Sequence, residues 1–299
     1  MDSPEGVLSE WRLPRRRCMR VAGKGTQSMS IMEILLKRYL NAIRGFLCAA
    51  LVLGLAGTVA AEPLTLNSAI NKAGRQRMLS QRMAKAYCEV GLGVEVEHAK
   101  KILEQSMARF DKQLAELEAF APTPEIKDTY TRLGQAWLVY RKLLSSGEPN
   151  PEEAKAIAQV SEDVLKLAQQ GTVQLEKQSG TPTGKLINVA GRQRMLSQRI
   201  AKISMFRAWG IATPQMAQDL DAAIKEFDAA QAFLASAPQN TAAISSELQL
   251  AGTQWLFFEE AVRQAVANRA EELRNIATTS ERILQVMDDV TGMYAGIAK

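Results

Sequence analysis

A guanidinium seated among small residues, with no carboxylate one helical turn away, is equipped to fork onto a small oxyanion through charge-assisted hydrogen bonds. This chain offers that arrangement twice. Arg77 lies in the 16-residue stretch Ile70–Lys85 (INKAGRQRMLSQRMAK), and Arg194 lies in Ile187–Lys202 (INVAGRQRMLSQRIAK), 117 positions further on. The copies differ only at Lys72/Val189 and Met83/Ile200. No Pro interrupts either, and Ala, Met, Leu, Gln, Arg and Lys favour helix. At helical steps Arg77 shares a stripe with Ile70, Ala73, Gly74, Ser80, Gln81, Ala84 and Cys88. Arg194 shares one with Ile187, Ala190, Gly191, Ser197, Gln198, Ala201 and Met205. Small side chains let two helices approach, so these arginines are expected at a crowded seam. The competing reading is a solvated arginine in a weak surface ion pair; identical surroundings in both copies favour the anion site. Arg75, Arg82, Arg192 and Arg199 fall on another side and read as solvated charges.

Other chemistry is thin. Cys88 is the only cysteine after residue 61 and His98 the only histidine, so no nucleophile–base pair, intrachain disulfide or di-iron site built on two Glu-x-x-His motifs is available. Cys88 reads as a packed thiol, with an intermolecular bridge as the minor option. Glu95, Glu97 and His98 lack a second nitrogen or sulfur ligand for a metal. Neither a GxSxG elbow nor a Gly-rich phosphate loop is present. The expectation is no enzyme, no cofactor and no metal.

The elements that must position the arginines follow the same repeat. Helices are predicted near 66–91, 95–120, 125–144 and 152–177, with breaks at Ala121–Pro124 and Ser145–Pro151, and a linker at Ser179–Gly184. The second unit repeats the plan: helix one near 185–209, a turn over Gly210–Pro214, helix two near 215–235 and a break at Ala237–Asn240. Phe110-Asp111 recurs as Phe227-Asp228, Trp137-Leu138 as Trp255-Leu256, and Ser161-Glu162 as Ser280-Glu281. Nothing reads as a strand. The expected fold is all-α, two tandem four-helix up-down bundles over 62–180 and 181–299.

Residues 1–61 read as a leader. Lys37, Arg38 and Arg44 precede the apolar run Gly45–Val59, which ends in Val59-Ala60-Ala61, the layout of a secretory signal peptide cut after Ala61. An uncleaved anchor is the alternative, though the run is shorter than the ~20 residues of a spanning helix. Residues 1–28 suggest an over-long start, with translation beginning at Met29 or Met32. The leader holds 9 of the 37 Lys+Arg and 4 of the 32 Asp+Glu, so the remainder is formally neutral and offers no case for nucleic acid. A periplasmic protein without a membrane span after signal removal is expected.

The repeated box Ile-Asn-x-Ala-Gly-Arg-Gln-Arg-Met-Leu-Ser-Gln-Arg resembles the signature of the PilJ-type domain of type IV pilus chemotaxis transducers. It is also similar to the box INxAGxxRMxSxR of the nitrate/nitrite sensor histidine kinases. The resemblance implies a four-helix sensing bundle in which an anion sits between two copies of helix one. It is held by the arginine and by backbone near the glycine, here Gly74 with Arg77 and Gly191 with Arg194. Arg75-Gln76 and Arg192-Gln193 stand where the nitrate box has Ser-Leu. The implied function is a non-enzymatic periplasmic sensor or binding protein for nitrate, nitrite or a similar oxyanion, signalling through a separate signalling or transport protein. The alternative is a ligand-free helical module docking on a membrane receptor or pilus-associated complex. The two arginines meet either within one chain, across a pseudo-two-fold axis, or in a homodimer.

Overall fold

The computed structural model describes residues 30–33, 35–41, 64–265 and 269–297. They fall in two compact units, Met1–Glu62 and Pro63–Lys299. In the first, residues 31–33 and 35–41 are helical and exposed. The apolar run, the cleavage point after Ala61 and the Arg-rich start lie outside the described residues.

The second unit contains eight helices: α1 Leu66–Leu92, α2 Val96–Phe120, α3 Pro124–Leu144, α4 Pro151–Ser179, α5 Pro182–Ala208, α6 Pro214–Ala235, α7 Ala242–Gln264 and α8 Arg269–Gly296. No strand occurs among the described residues. Helix starts are written in a recurring cap. Thr65, Thr123, Thr181, Thr213 and Thr241 each accept a hydrogen bond at the side chain from the backbone N–H three residues on, and Asn150 does the same before α4. Pro124, Pro151, Pro182 and Pro214 follow directly, where a missing N–H leaves no gap in the ladder. This cap corrects the expected linker at Ser179–Gly184. Gly180 ends α4 at φ 60° and Thr181-Pro182 at once begins α5, so only two residues intervene.

Connections of a few residues force neighbouring helices antiparallel, and each repeat is an up-down bundle. The duplicated dipeptides turn out to fasten helix two to helix three. Phe110 stacks on Trp137 at 4.3 Å between ring centres, and Phe227 on Trp255 at 3.9 Å. The Trp137 indole donates to Asp111 at 2.7 Å, and that of Trp255 to Asp228 at 2.8 Å. Helix one is tied in by its glutamines. Gln76 and Gln193 donate to the Phe110 and Phe227 carbonyls at 3.0 Å each. Gln81 and Gln198 donate to the Ser161 and Ser280 carbonyls at 3.1 and 2.9 Å.

The repeats do not stand apart. α1 and α5 pack along one another at the centre of the unit and run parallel. Lys85 of α1 reaches Ser280 of α8, the same residue that Gln198 of α5 contacts. Near the other end a Cβ on Gly91 would fall 2.1 Å from the Trp209 ring, so that glycine is a close-approach position. α1 is buried on nearly every side, including Arg77, Gln81 and Lys85 at 0% exposure. Residues 62–180 expressed alone would bare the face of α1 that α5 covers, together with Lys85 and Arg77. Such a fragment is expected to lack a cooperative thermal transition by circular dichroism, whereas 62–299 should melt as one unit. A fragment that melts sharply would show that the repeats fold independently.

Candidate functional site

The seam between α1 and α5 is narrowest at Gly74 and Gly191. A Cβ on Gly74 would stand 3.7 Å from the Gly191 Cα, and one on Gly191 3.8 Å from the Gly74 Cα. Both arginines extend into that gap, back along their own helices as helical side chains lean. The Gly74 Cβ position lies 3.2 Å from Arg77 Nη2 and 3.3 Å from Arg194 Nη2; the Gly191 position lies 3.1 and 3.3 Å from the same two groups in exchanged order. Each guanidinium reaches across to the other repeat. Arg77 Nη2 donates to the Asn188 carbonyl at 3.0 Å, and Arg194 Nη2 to the Asn71 carbonyl at 3.1 Å. Both side chains are fully buried. The structure therefore brings Gly74, Arg77, Gly191 and Arg194 together within one chain, across a pseudo-two-fold axis parallel to the helices.

The outer ends of the two guanidiniums break that symmetry. Arg77 Nη1 donates to the amide oxygen of Gln169 at 2.6 Å. Arg194 Nη1 pairs with the carboxylate of Asp288, which occupies the equivalent place on α8 and also receives Arg75 at 2.6 Å. The Nε atoms of Arg77 and Arg194 are buried and find no hydrogen-bond partner among the described residues. Burial, then Arg192, then Arg194 disfavour the charge on Arg77 and lower its pKa to about 9. Burial lowers Arg194 to about 10, opposed chiefly by Asp288. Burial raises the Asp288 carboxyl, but Arg194 and Arg75 outweigh it and hold the group below its ordinary value. Both guanidiniums remain protonated at neutral pH and cannot shed the strain by neutralising themselves.

Two ion-pair clusters flank the seam, and they correct the reading of Arg82 and Arg199 as solvated. Arg82 forks onto Glu281, with its shortest contact at 2.5 Å, and Lys85 pairs with the same carboxylate at 2.6 Å. Across the axis, Arg199 and Lys202 pair with Glu162 at 2.8 and 2.5 Å. Each cluster joins helix one of one repeat to helix four of the other. Arg75 and Arg192 are likewise paired, with Asp288 and Glu226. Single-helix geometry could not show these partners, because all four carboxylates come from other helices. Gln169, Asp288, Lys85 and Lys202 were missed for that reason. The recurrence of Lys85 as Lys202 and of Glu162 as Glu281 was the available signal.

Surface clefts lie on either side of the seam. One, of about 340 Å³, has Arg75 and Asp288 in its wall; another, of about 200 Å³, has Gln169 and Arg192. Both side chains that hold the outer ends of the seam arginines therefore border on solvent-filled space. Elsewhere Cys88 is fully buried and free, and its thiol is pushed up by burial, then by Glu89. Among the described residues no helix is long and apolar enough to cross a membrane, and no group of three or more His, Cys, Asp or Glu side chains is placed to hold a metal.

Two regions of the chain, residues 61–162 and 178–280, match the model of a protein family, PilJ, described as the type IV pili methyl-accepting chemotaxis transducer N-terminal domain. No curated protein and no solved structure matches the chain.

Proposed function

The chain belongs to the PilJ family of signal-transduction sensing domains, and from that premise we propose that it is a non-enzymatic periplasmic sensor that binds a small oxyanion, nitrate or nitrite in size and charge, between Arg77 and Arg194. The carrying observation is the convergence of two fully buried guanidiniums on a Gly–Gly crossing with a single carboxylate on their outer ends. Bringing two such charges close repels by roughly 3 kcal/mol at 5–6 Å and an effective dielectric near 20. An anion between them replaces that repulsion with charge-assisted hydrogen bonds. To admit it, each Nη2 gives up the carbonyl across the seam, so α1 and α5 must shift relative to one another. That displacement is the signal a separate signalling or transport protein would read.

The test is a melting series of the mature chain in nitrate and nitrite, with chloride at matched ionic strength. Nitrate at ~100 times its dissociation constant should add roughly 2.7 kcal/mol. Gly74→Ala, whose methyl would fill the space between the two Nη2 groups, should remove the response while leaving the fold intact. No shift with any anion would sink the reading. Export is tested separately: protein from the periplasmic fraction should begin at Glu62, and an intact Met1 in the cytoplasm would end that part.

A second reading, a ligand-free module that docks on a receptor or pilus-associated complex, is favoured by one repeated surface feature. Leu138 and its mate Leu256 are each 67% exposed, beside the exposed Val139 and Phe257. Leu138→Lys with Leu256→Lys should leave an anion response untouched and abolish docking if that surface carries it.

A further inference from the structure

We propose that the larger cleft beside the seam, between α1, α2 and α8, is a second anion site that takes a phosphate group, free or carried by a small hydroxylated molecule. It shares Asp288 with the seam, but its donors are other side chains. The proposal stands whether or not the seam holds an anion.

The cleft, of about 340 Å³, is at the small end of ligand pockets, and every residue lining it is polar or charged. Four cations there face two carboxylates. Lys72 is held by Glu116 and Arg75 by Asp288, each at 2.6 Å. Arg109 and Lys112 are exposed on one face of α2 and make no ion pair or hydrogen bond among the described residues. Two unpaired like charges three residues apart on a helix repel each other. A phosphate monoester brings about 1.5 to 2 negative charges and three acceptor oxygens at neutral pH, enough to satisfy both.

Exposed cations alone would be an ordinary solvated pair; the inner wall of the cleft is not ordinary. Gln113 lines it at 7% exposure, and its Oε1 is buried without a partner among the described residues. The seam-side glutamines Gln76, Gln81, Gln193 and Gln198 all donate to backbone carbonyls, whereas the Gln113 amide donates to nothing described. Turned about its last bond, that amide offers N–H to an anion. The Arg75 Nε is buried and unpartnered at the same wall. Buried polar groups are ordinarily satisfied, so two orphans at one cleft point to a ligand that satisfies them.

The other repeat shows that the fold does not require these side chains. Lys72 is replaced there by Val189, Arg109 by Glu226, Lys112 by Ala229 and Gln113 by Ala230. Arg192, the mate of Arg75, is paired with that same Glu226. Lys72/Val189 is also one of the two differences within the repeated box. A structural role would call for these groups in both repeats; a ligand site needs them in one. The carboxylates of Glu116 and Asp288 can accept from hydroxyl groups of a carrier, and an acyl chain would find no apolar wall.

Calorimetric titration of the mature chain with glycerol 3-phosphate and with inorganic phosphate, against acetate at matched ionic strength, tests this. Both phosphates should bind, and the tighter of the two identifies the source. Arg109→Ala and Lys112→Ala should each weaken binding about tenfold, the effect of one charge-assisted hydrogen bond, and leave the ligand-free melting temperature unchanged. Arg109→Glu, which installs the residue of the second repeat, should abolish binding. Nitrate titrated into the same variants reports on the seam, so the two sites fail separately. No heat with either phosphate, acetate bound as tightly as phosphate, or undiminished phosphate binding by Arg109→Glu would overturn the proposal.

Discussion

Glu162→Gln is expected to lower the melting temperature by roughly 6–12 °C, about 3 kcal/mol for a unit of this size. Lys202 is 2% exposed, and among the described residues Glu162 is its one carboxylate partner; without it the ammonium keeps the Ser161 hydroxyl at 3.2 Å. Removing one member of a buried pair leaves the other's desolvation uncompensated, and that term dominates. The equivalent change on the other side, Glu281→Gln, should do less harm. Lys85 retains Glu89 at 3.6 Å, a residue replaced by Phe206 in the second repeat. The same carboxylates set the acid limit. Burial works to raise Glu281, but Lys85 and Arg82 outweigh it and bring its pKa down to about 2; Glu162 is lowered in the same manner by Lys202 and Arg199. Folded pKa values below the unfolded value of about 4.5 mean the stabilisation is complete above that pH and is lost as pH falls toward 2. A melt series from pH 6 to pH 2 should decline steeply for the wild type and less so for Glu162→Gln. Equal losses in both variants, or none, would show that these pairs are not the fasteners between repeats.

The second large effect is one of sign. Arg77→Ala should leave the ligand-free melting temperature unchanged or raise it, while Arg194→Ala should lower it by roughly 4–8 °C. Arg77 has only an amide and a carbonyl to hold it, so its removal relieves repulsion that offsets the lost packing. Arg194 is bound to Asp288, and its loss leaves that partly buried carboxylate with Arg75 alone. Without the structure the two variants would have been expected to behave alike, because neither arginine has an acid on its own stripe. With nitrate present both should lose the ligand-induced gain. Equal destabilisation of both, together with a wild type indifferent to anions, would make the arginines structural.

How much of this was legible beforehand follows from where each partner lies. Helix number, the repeat and the burial of Arg77 beside Gly74 could be read from one helix at a time, since periodicity and small residues are local signals. The repeated small-residue stripe required a cover but left two options open, Gly74 against Gly191 within one chain or the same contact in a homodimer, and the fold takes the first. The four flanking arginines were misread as solvated because a helical wheel shows a residue's own neighbours, and Glu162, Glu226, Glu281 and Asp288 arrive from elsewhere in the chain. The Gln169/Asp288 difference was visible in principle as unlike residues at equivalent positions, but only the contact with Arg77 and Arg194 marks it as meaningful. The apparent linker at Ser179–Gly184 misled because Gly and Pro punctuate both loops and helix caps, and here they serve as caps.

Gly180 and Thr181, the two residues between α4 and α5, carry a consequence of a different kind. A receptor assembled from separate subunits answers to its own abundance as well as to its ligand, because occupancy depends on how many subunits have found a mate. For the anion site proposed between α1 and α5 the mate is permanently tethered at short range, so its dose–response curve is expected to be the same in a cell holding ten copies as in one holding ten thousand. The tether also frees inheritance from symmetry. A single codon change alters one wall of the cleft and leaves the other as it was, a choice never open to a site built from two products of one gene.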